Sequence, residues 1–278
     1  MSIFDHGFLY GDGIYETVHA YQDKIFHWLP HARRLRQSAF RVGLRIPWTN
    51  AYLAKAVRCV LRANRRPNGS VRITLTRGPG PLGLNPALCL RPTLVMQLHP
   101  DRSLSVPWQK GVWIGIPHIR RNPREALDPQ IKATSSLNTV LAKQEAEKLG
   151  VFEAVLLNLR GALSEGTTSN IFFVKRKRLY TPALDCGLLD GVTRGVVIQL
   201  ARRLGMPVSE GAYPLAQLLK AEECFLSSTT LEVMPVIGVK WQARGLQVKR
   251  FGTGHPGPCT QRLQTAFRAY VKKELKLL

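Results

Sequence analysis

Four short stretches of this 278-residue chain carry side chains able to do chemistry. Lys132, within Pro129-Gln130-Ile131-Lys132-Ala133-Thr134-Ser135-Ser136, offers an amine just ahead of a helix-forming run. Withdrawn from solvent, such an amine is a nucleophile or proton carrier; left in solvent, it is an ordinary surface lysine. Glu165, within Leu163-Ser164-Glu165-Gly166-Thr167-Thr168-Ser169-Asn170, supplies a carboxylate and reads equally as an exposed turn acid. Gly191-Val192-Thr193 opens a helix, where unpaired N–H groups and a hydroxyl can hold a phosphate. A plain helix cap has the same composition. Ser228-Thr229-Thr230 can form an anion-binding nest or a hydroxyl-rich turn. None of the four identifies an activity alone.

The elements that must position these groups are legible in outline. Gly13 to Tyr21 alternates Ile14, Glu16 and Val18 against Tyr15, Thr17 and His19, which predicts a strand, and Ile25 to Trp28 predicts its hairpin partner. Pro30 then falls in the first turn of a helix whose apolar stripe is Ala32, Leu35, Ala39 and Val42, ending near Gly43. A second helix is predicted from Asn50 to about Asn64, and strands at Val71–Leu75, Leu94–Leu98 and Val112–Ile116. Beyond them come a helix from Ser136 to Leu149, strands at Glu153–Leu157, Asn170–Lys175 and Cys224–Ser227, a helix from Val192 to Leu204, and a last helix from near Thr260. Asp101 to Lys110 is polar and contains a breaker, Pro107, as part of a connection between an N-terminal and a C-terminal domain would. No internal repeat or low-complexity segment is present.

With 45% hydrophobic residues the chain can bury a substantial core, which excludes a disordered tail protein. No apolar run approaches the roughly 20 residues of a membrane span, and Met1 to His6 lacks a signal-peptide pattern, so a cytoplasmic protein without membrane contact is expected. The five cysteines, Cys59, Cys89, Cys186, Cys224 and Cys259, are scattered, without CxxC spacing or clustered histidines, and read as free thiols with no metal site. Charge is the unusual feature: 40 Lys+Arg against 18 Asp+Glu give a formal +22, and no acidic residue lies between Asp23 and Asp101. That concentration can attract nucleic acid. The positives, however, show no interleaving with aromatics and no recognition motif, so the sequence favours a solvated arginine-rich surface.

Taken in order, the segments resemble fold-type IV pyridoxal-phosphate enzymes, the group of branched-chain aminotransferases, D-amino-acid transaminases and aminodeoxychorismate lyases. Phe4-Asp5-His6-Gly7-Phe8-Leu9-Tyr10-Gly11-Asp12-Gly13-Ile14-Tyr15-Glu16 is similar to the group's opening signature. His31-Ala32-Arg33-Arg34-Leu35 resembles its phosphate-arginine helix, and Ile131-Lys132-Ala133-Thr134 its Schiff-base segment. Ser164-Glu165-Gly166 with Ser169-Asn170, Asp190-Gly191-Val192-Thr193-Arg194, Ser227 to Val236, and Gly254-His255-Pro256-Gly257-Pro258 complete the series along nearly the whole chain.

The resemblance implies an α+β, two-domain enzyme. Residues 1–105 would form a small N-terminal α/β domain, 106–119 an interdomain segment, and 120–278 a larger cofactor-binding domain with a mixed sheet or barrel core. It implies that Lys132 is catalytic, carrying pyridoxal 5'-phosphate as a Schiff base and moving the substrate α-proton. Glu165 would pair with the pyridine nitrogen, while Arg34, Val192, Thr193, Ser228 and Thr229 would hold the phosphate. Arg33 and Arg36 are expected to be surface charges. Members usually carry a further strand and hairpin before the Phe4 signature, so the small domain is expected to be truncated or to lack an edge strand. Active sites of the group lie at domain and dimer interfaces, which implies a homodimer.

The substrate markers are mixed. Thr17 matches a threonine of the lyases. Yet Leu82 stands where lyases and D-amino-acid transaminases carry an arginine, and Leu84 where the latter carry a histidine, and leucines cannot build a carboxylate trap. Gly83-Leu84-Asn85-Pro86 and Arg72 resemble branched-chain aminotransferases, although Ser70 and Leu137 replace tyrosines often found there. On this reading Tyr10, Tyr15 and Leu82 line an apolar pocket, Thr17 and Arg72 lie beside it, and the N–H groups of Thr229 and Thr230 receive the substrate carboxylate. Loop packing is the plain alternative for Leu82 and Leu84. The expected reaction moves an amino group between a branched-chain amino acid and a 2-keto acid. D-amino-acid transamination, lyase chemistry and, in a different class, a basic nucleic-acid-binding protein on an inactive fold are the alternatives.

Overall fold

The computed structural model describes residues 1–99 and 107–277, so the expected boundary at 105/106 lies outside the described residues. Two units emerge: Met1–Leu104 with Ile131–Ser136 and Lys272–Leu278, and Ser105–Gln130 with Leu137–Val271.

The first unit begins with a short helix, α1 (His6–Tyr10), capped by the Asp5 carboxylate on Gly7 N–H. Strand β1 (Gly13–Tyr21) follows as predicted. Its partner β2 is only Lys24–Ile25, because His27 turns into the left-handed region at φ 50° and α2 (Trp28–Arg41) starts one residue later. The expected strand to Trp28 is thus cut short by a helix start. α3 (Asn50–Ala63), capped by Thr49 on Tyr52 N–H, leads to β3 (Gly69–Thr76) and β4 (Thr93–His99). The four strands are antiparallel in the order β2-β1-β3-β4. Ile14 and Val18 of β1 meet Leu35 of α2, Leu53 and Val57 of α3, and Val71 and Ile73 of β3 in one core. Period two then leaves Tyr15 and Thr17 on the opposite face, level with Thr74 and Arg72 of β3.

The second unit is built on a nine-stranded mixed sheet. In chain order its elements are β5 (Val112–Ile116), α4 (Leu137–Lys148), β6 (Glu153–Leu157), β7 (Leu163–Gly166), β8 (Asn170–Lys175), β9 (Arg178–Pro182), α5 (Val192–Arg203), β10 (Val208–Gly211), α6 (Leu215–Leu218), β11 (Glu223–Ser228), β12 (Glu232–Ala243), β13 (Gly245–Arg250) and α7 (Pro258–Leu275). Strand order is β10-β9-β8-β11-β12-β5-β6-β7, with β13 on β12. β7 also lies against β8 and β9, which curls the sheet toward a half-barrel. Strands β6 and β8 are buried on both faces and accordingly read as nearly continuous apolar runs. Phe172 stacks on Phe225 at 4.9 Å and Phe173 on Tyr180 at 5.1 Å between ring centroids. This mixed α/β architecture agrees with the expected fold class. No helix among the described residues is long and apolar enough to cross a membrane.

Candidate active site

In the first unit Lys132 is held by its backbone before its side chain is considered. The segment runs beside β1: Tyr15 N–H donates to Lys132 O at 2.9 Å, and Thr134 N–H to Gly13 O at 2.9 Å. Lys132 N–H donates to Ser38 Oγ of α2 at 3.1 Å, and Ser38 is fully buried. Gly13 permits this approach, since a Cβ there would stand 2.8 Å from Leu75 O and 3.1 Å from Thr134 Oγ1. Lys132 Nζ lies 4.5 Å from the Tyr15 ring centroid, and the Arg72 guanidinium lies 3.6 Å from the same centroid. Lys132 foremost, then Arg72, lowers the Tyr15 phenol pKa against the upward push of burial. No carboxylate among the described residues forms an ion pair with Lys132. Lys132 is half-buried and not the free surface lysine that the plain reading allowed.

The inward face of β1 carries a charge into the core. Glu16, 1% exposed, accepts from Arg34 Nε at 2.6 Å and Arg34 Nη2 at 2.9 Å, and from His31 Nδ1 at 2.9 Å. Because an ionised carboxylate only accepts, the His31 proton sits on Nδ1. Burial pushes the Glu16 carboxyl upward, but Arg34 and His31 outweigh it and hold it well below the carboxylate range. Burial likewise pushes the His31 imidazole down, against the upward pull of Glu16. Arg34 therefore sits in a fixed orientation between core and solvent. Arg33 is exposed as expected, whereas Arg36 is half-buried and tied to Asn50 and the Trp48 carbonyl, so it is not the plain surface charge predicted.

Tyr10 and Leu82 are brought together: Gly83 N–H donates to Tyr10 Oη at 3.0 Å. Leu82 and Leu84 are 72% and 81% exposed, so packing within the described chain does not account for them. Thr17 is half-buried on the Tyr15 face.

In the second unit Glu165 lies in β7 and is buried, which corrects the exposed-turn alternative. Arg121 Nη2 meets its Oε1 at 2.9 Å and Leu189 N–H donates to Oε2 at 3.0 Å. The turn after it is pinned by Glu153, a buried carboxylate that accepts from the hydroxyls of Thr167, Thr168 and Ser169. Val192 and Thr193 are the first two residues of α5, and the N-cap Gly191 offers no side-chain acceptor to their N–H groups. Gly191 is pressed on Asn170, whose Oδ1 would stand 2.0 Å from an added Cβ. Ser228 Oγ lies 3.3 Å from Thr230 Oγ1 and accepts from Leu231 N–H in the β11–β12 turn, with Thr229 half-buried between them. Ser227 Oγ beneath it is buried without a hydrogen-bond partner among the described residues.

Residues 13–239 match the family model of amino-transferase class IV. The chain belongs to that family. A Methanocaldococcus jannaschii protein, named provisionally as a branched-chain-amino-acid aminotransferase, is 39% identical over 86% of this chain and 82% of its own. The D-alanine aminotransferase of Bacillus licheniformis is 31% identical over 99% of this chain and 93% of its own. Among solved structures, the branched-chain aminotransferase of Thermoproteus uzoniensis with norvaline superposes with a TM-score of 0.88 at 30% identity, covering 100% of this chain and 92% of that one.

Like other class IV aminotransferases, the protein is a transaminase that uses pyridoxal phosphate. Each unit by itself holds groups that suit the cofactor: in the first an amine with no carboxylate partner among the described residues, and in the second an uncapped helix start and a buried hydroxyl with no partner among the described residues. Sequence reasoning had not singled out Glu16, His31, Ser38, Arg121 or Glu153. A signal existed for Glu16, which stands between Ile14 and Val18 on the apolar side of an alternating strand. His31 and Ser38 fall on the buried face of α2 in the same way.

Proposed function

We propose that this class IV aminotransferase acts on branched-chain amino acids with a 2-keto acid as partner, in the cytoplasm, as a homodimer. When bound, pyridoxal phosphate supplies an electron sink for the carbanion at the amino acid α-carbon. Lys132 Nζ is the attachment point and moves the proton at that carbon; its backbone is locked by Tyr15 and Ser38, so only the side chain swings. Glu165, oriented by Arg121, would face the pyridine nitrogen and hold a proton there. Arg34, held by Glu16, supplies fixed charge to the phosphate, and Val192, Thr193, Ser228 and Thr229 supply N–H and hydroxyl donors. The N–H groups of Thr229 and Thr230 receive the substrate carboxylate.

The observation that carries the substrate reading is the apolar, exposed Leu82 beside Tyr10, where a carboxylate trap would need a charged donor. With Tyr15 it offers hydrocarbon to an aliphatic side chain, Arg72 lies over the Tyr15 ring, and Thr17 stands opposite Arg72 on the same face of β1. Thr17 also favours a second reading, the lyase. A panel of L-leucine, L-valine, D-alanine and aminodeoxychorismate tests both: the L-aliphatic substrates are expected to react fastest. Activity confined to D-alanine, or pyruvate release from aminodeoxychorismate alone, overturns the assignment.

The dimer rests on an apolar surface of the first unit. Gly80 N–H bonds Phe4 O, and His6 Nε2 lies 2.9 Å from Pro81 O, so the N-terminal segment and this loop form one surface bearing the exposed Phe4, Phe8, Leu82 and Leu84. Soluble monomers seldom leave such a patch uncovered. Light scattering should give twice the chain mass, and Phe8→Glu should give a monomer.

A further inference from the structure

We propose that the outward face of α2 is a binding site for single-stranded nucleic acid, separate from the transaminase chemistry. A groove there is lined by Leu29, Arg33, Arg36, Gln37, Phe40 and Arg41. These side chains lie on the side of α2 opposite His31, Ala32, Leu35, Ser38 and Ala39, which are buried in the core. Phe40 is 86% exposed, a large ring that the described residues leave in water. Arg36 is oriented in advance: its Nε donates to Asn50 Oδ1 at 2.7 Å and its Nη2 to Trp48 O at 2.7 Å. A guanidinium fixed in this way loses little freedom when a phosphate arrives. Arg33 and Arg41 stand exposed on either side of the groove.

Residues 24–100, which include α2, α3, β3 and β4, contain no Asp or Glu, and the one carboxylate of β1, Glu16, is engaged by Arg34 and His31, so none of these elements offers a carboxylate to Arg33 or Arg36. Exposed Arg45, Lys55, Arg62, Arg65 and Arg66 extend the positive field beyond the groove. A second copy placed on this face would set Arg33 and Arg36 against like charges, whereas the homodimer proposed above uses Phe4, Phe8, Leu82 and Leu84. A membrane fits poorly too: Leu29 and Phe40 lie at opposite ends of the face, with Arg33, Arg36 and Gln37 between them. An exposed ring among guanidinium groups suits unpaired bases that stack and phosphates that pair. The sequence had suggested that the positives lack exposed aromatics; the fold places Phe40, and Tyr52 at 51% exposure, among them.

The test is fluorescence anisotropy of the holoenzyme with a labelled oligouridine of about 16 nucleotides, titrated across salt concentrations. Contacts from Arg33 and Arg36 predict a slope of log K against log salt of about −1.4, from about −0.7 per phosphate. Phe40→Ala should weaken binding on the order of tenfold with that slope unchanged, as loss of one stacked base would. Arg33→Glu with Arg41→Glu should weaken binding and flatten the slope. Both variants should keep transaminase activity, which also reports that they fold; if the arginine variant does not, Phe40→Ala alone decides. Absence of binding near physiological ionic strength overturns the proposal. So does equal affinity in Phe40→Ala, which would mean diffuse charge only, or capture by phosphatidylglycerol vesicles that the oligonucleotide cannot reverse.

Discussion

Glu16 shows how a single side chain organises chemistry around itself. A carboxylate at 1% exposure is tolerable only with its oxygens satisfied, and Arg34 and His31 supply three donors. Glu16→Ala leaves Arg34 without its buried partner and should cost about 3–5 kcal/mol in chemical denaturation. The network also sets a pH dependence. Glu16 and His31 both bind protons less readily folded than unfolded, so unfolding takes up protons and stability falls as pH falls. The loss should begin near the unfolded imidazole value of about 6.5 and deepen below the unfolded carboxyl value of about 4.3. Denaturation midpoints at stepped pH check this; a flat profile through the acid range contradicts it. His31→Asn should remove the upper part of the decline. In the sequence, Arg34 was found by resemblance, whereas the two residues that orient it were not, because hydrogen bonding between a strand and a helix leaves no local spacing to read.

At the scale of elements, β1 and α5 do most of the positioning. β1 lends its backbone to Lys132, its inward face to Glu16 and its outward face to Tyr15, so one strand serves three groups. Helix α5 presents its first N–H groups without a side-chain cap because its N-cap is Gly191, which lies close against Asn170. Gly191→Ala would push that start away, and cofactor affinity should fall about tenfold, the worth of one to two hydrogen bonds. Fluorescence titration of the apoprotein measures it, with thermal unfolding as the control for folding. Strands such as β1, β3 and β8 were legible because alternation or a buried apolar run marks them. β7 and β10, reading Leu163-Ser164-Glu165-Gly166 and Val208-Ser209-Glu210-Gly211, were not. Their pairing comes from distant segments, and four residues with a charge and a glycine carry no periodic signal.

For the whole molecule, the family was legible because seven segments occur in one order along the chain, although no one of them was decisive. The substrate was less so, since Leu82, Leu84, Ser70 and Thr17 point toward different members. Net charge of +22, concentrated where residues 24–100 lack acids, predicts self-repulsion in the first unit. Raising salt from low to physiological strength should therefore raise the melting temperature, and a fall would contradict that view. The central claim remains that Lys132 carries the cofactor. Borohydride reduction of the reconstituted holoenzyme followed by peptide mass spectrometry tests it most directly. The predicted result is a phosphopyridoxyl mass on the peptide bearing Lys132, absent from Lys132→Ala; the same label on another lysine, or on none, would contradict the account.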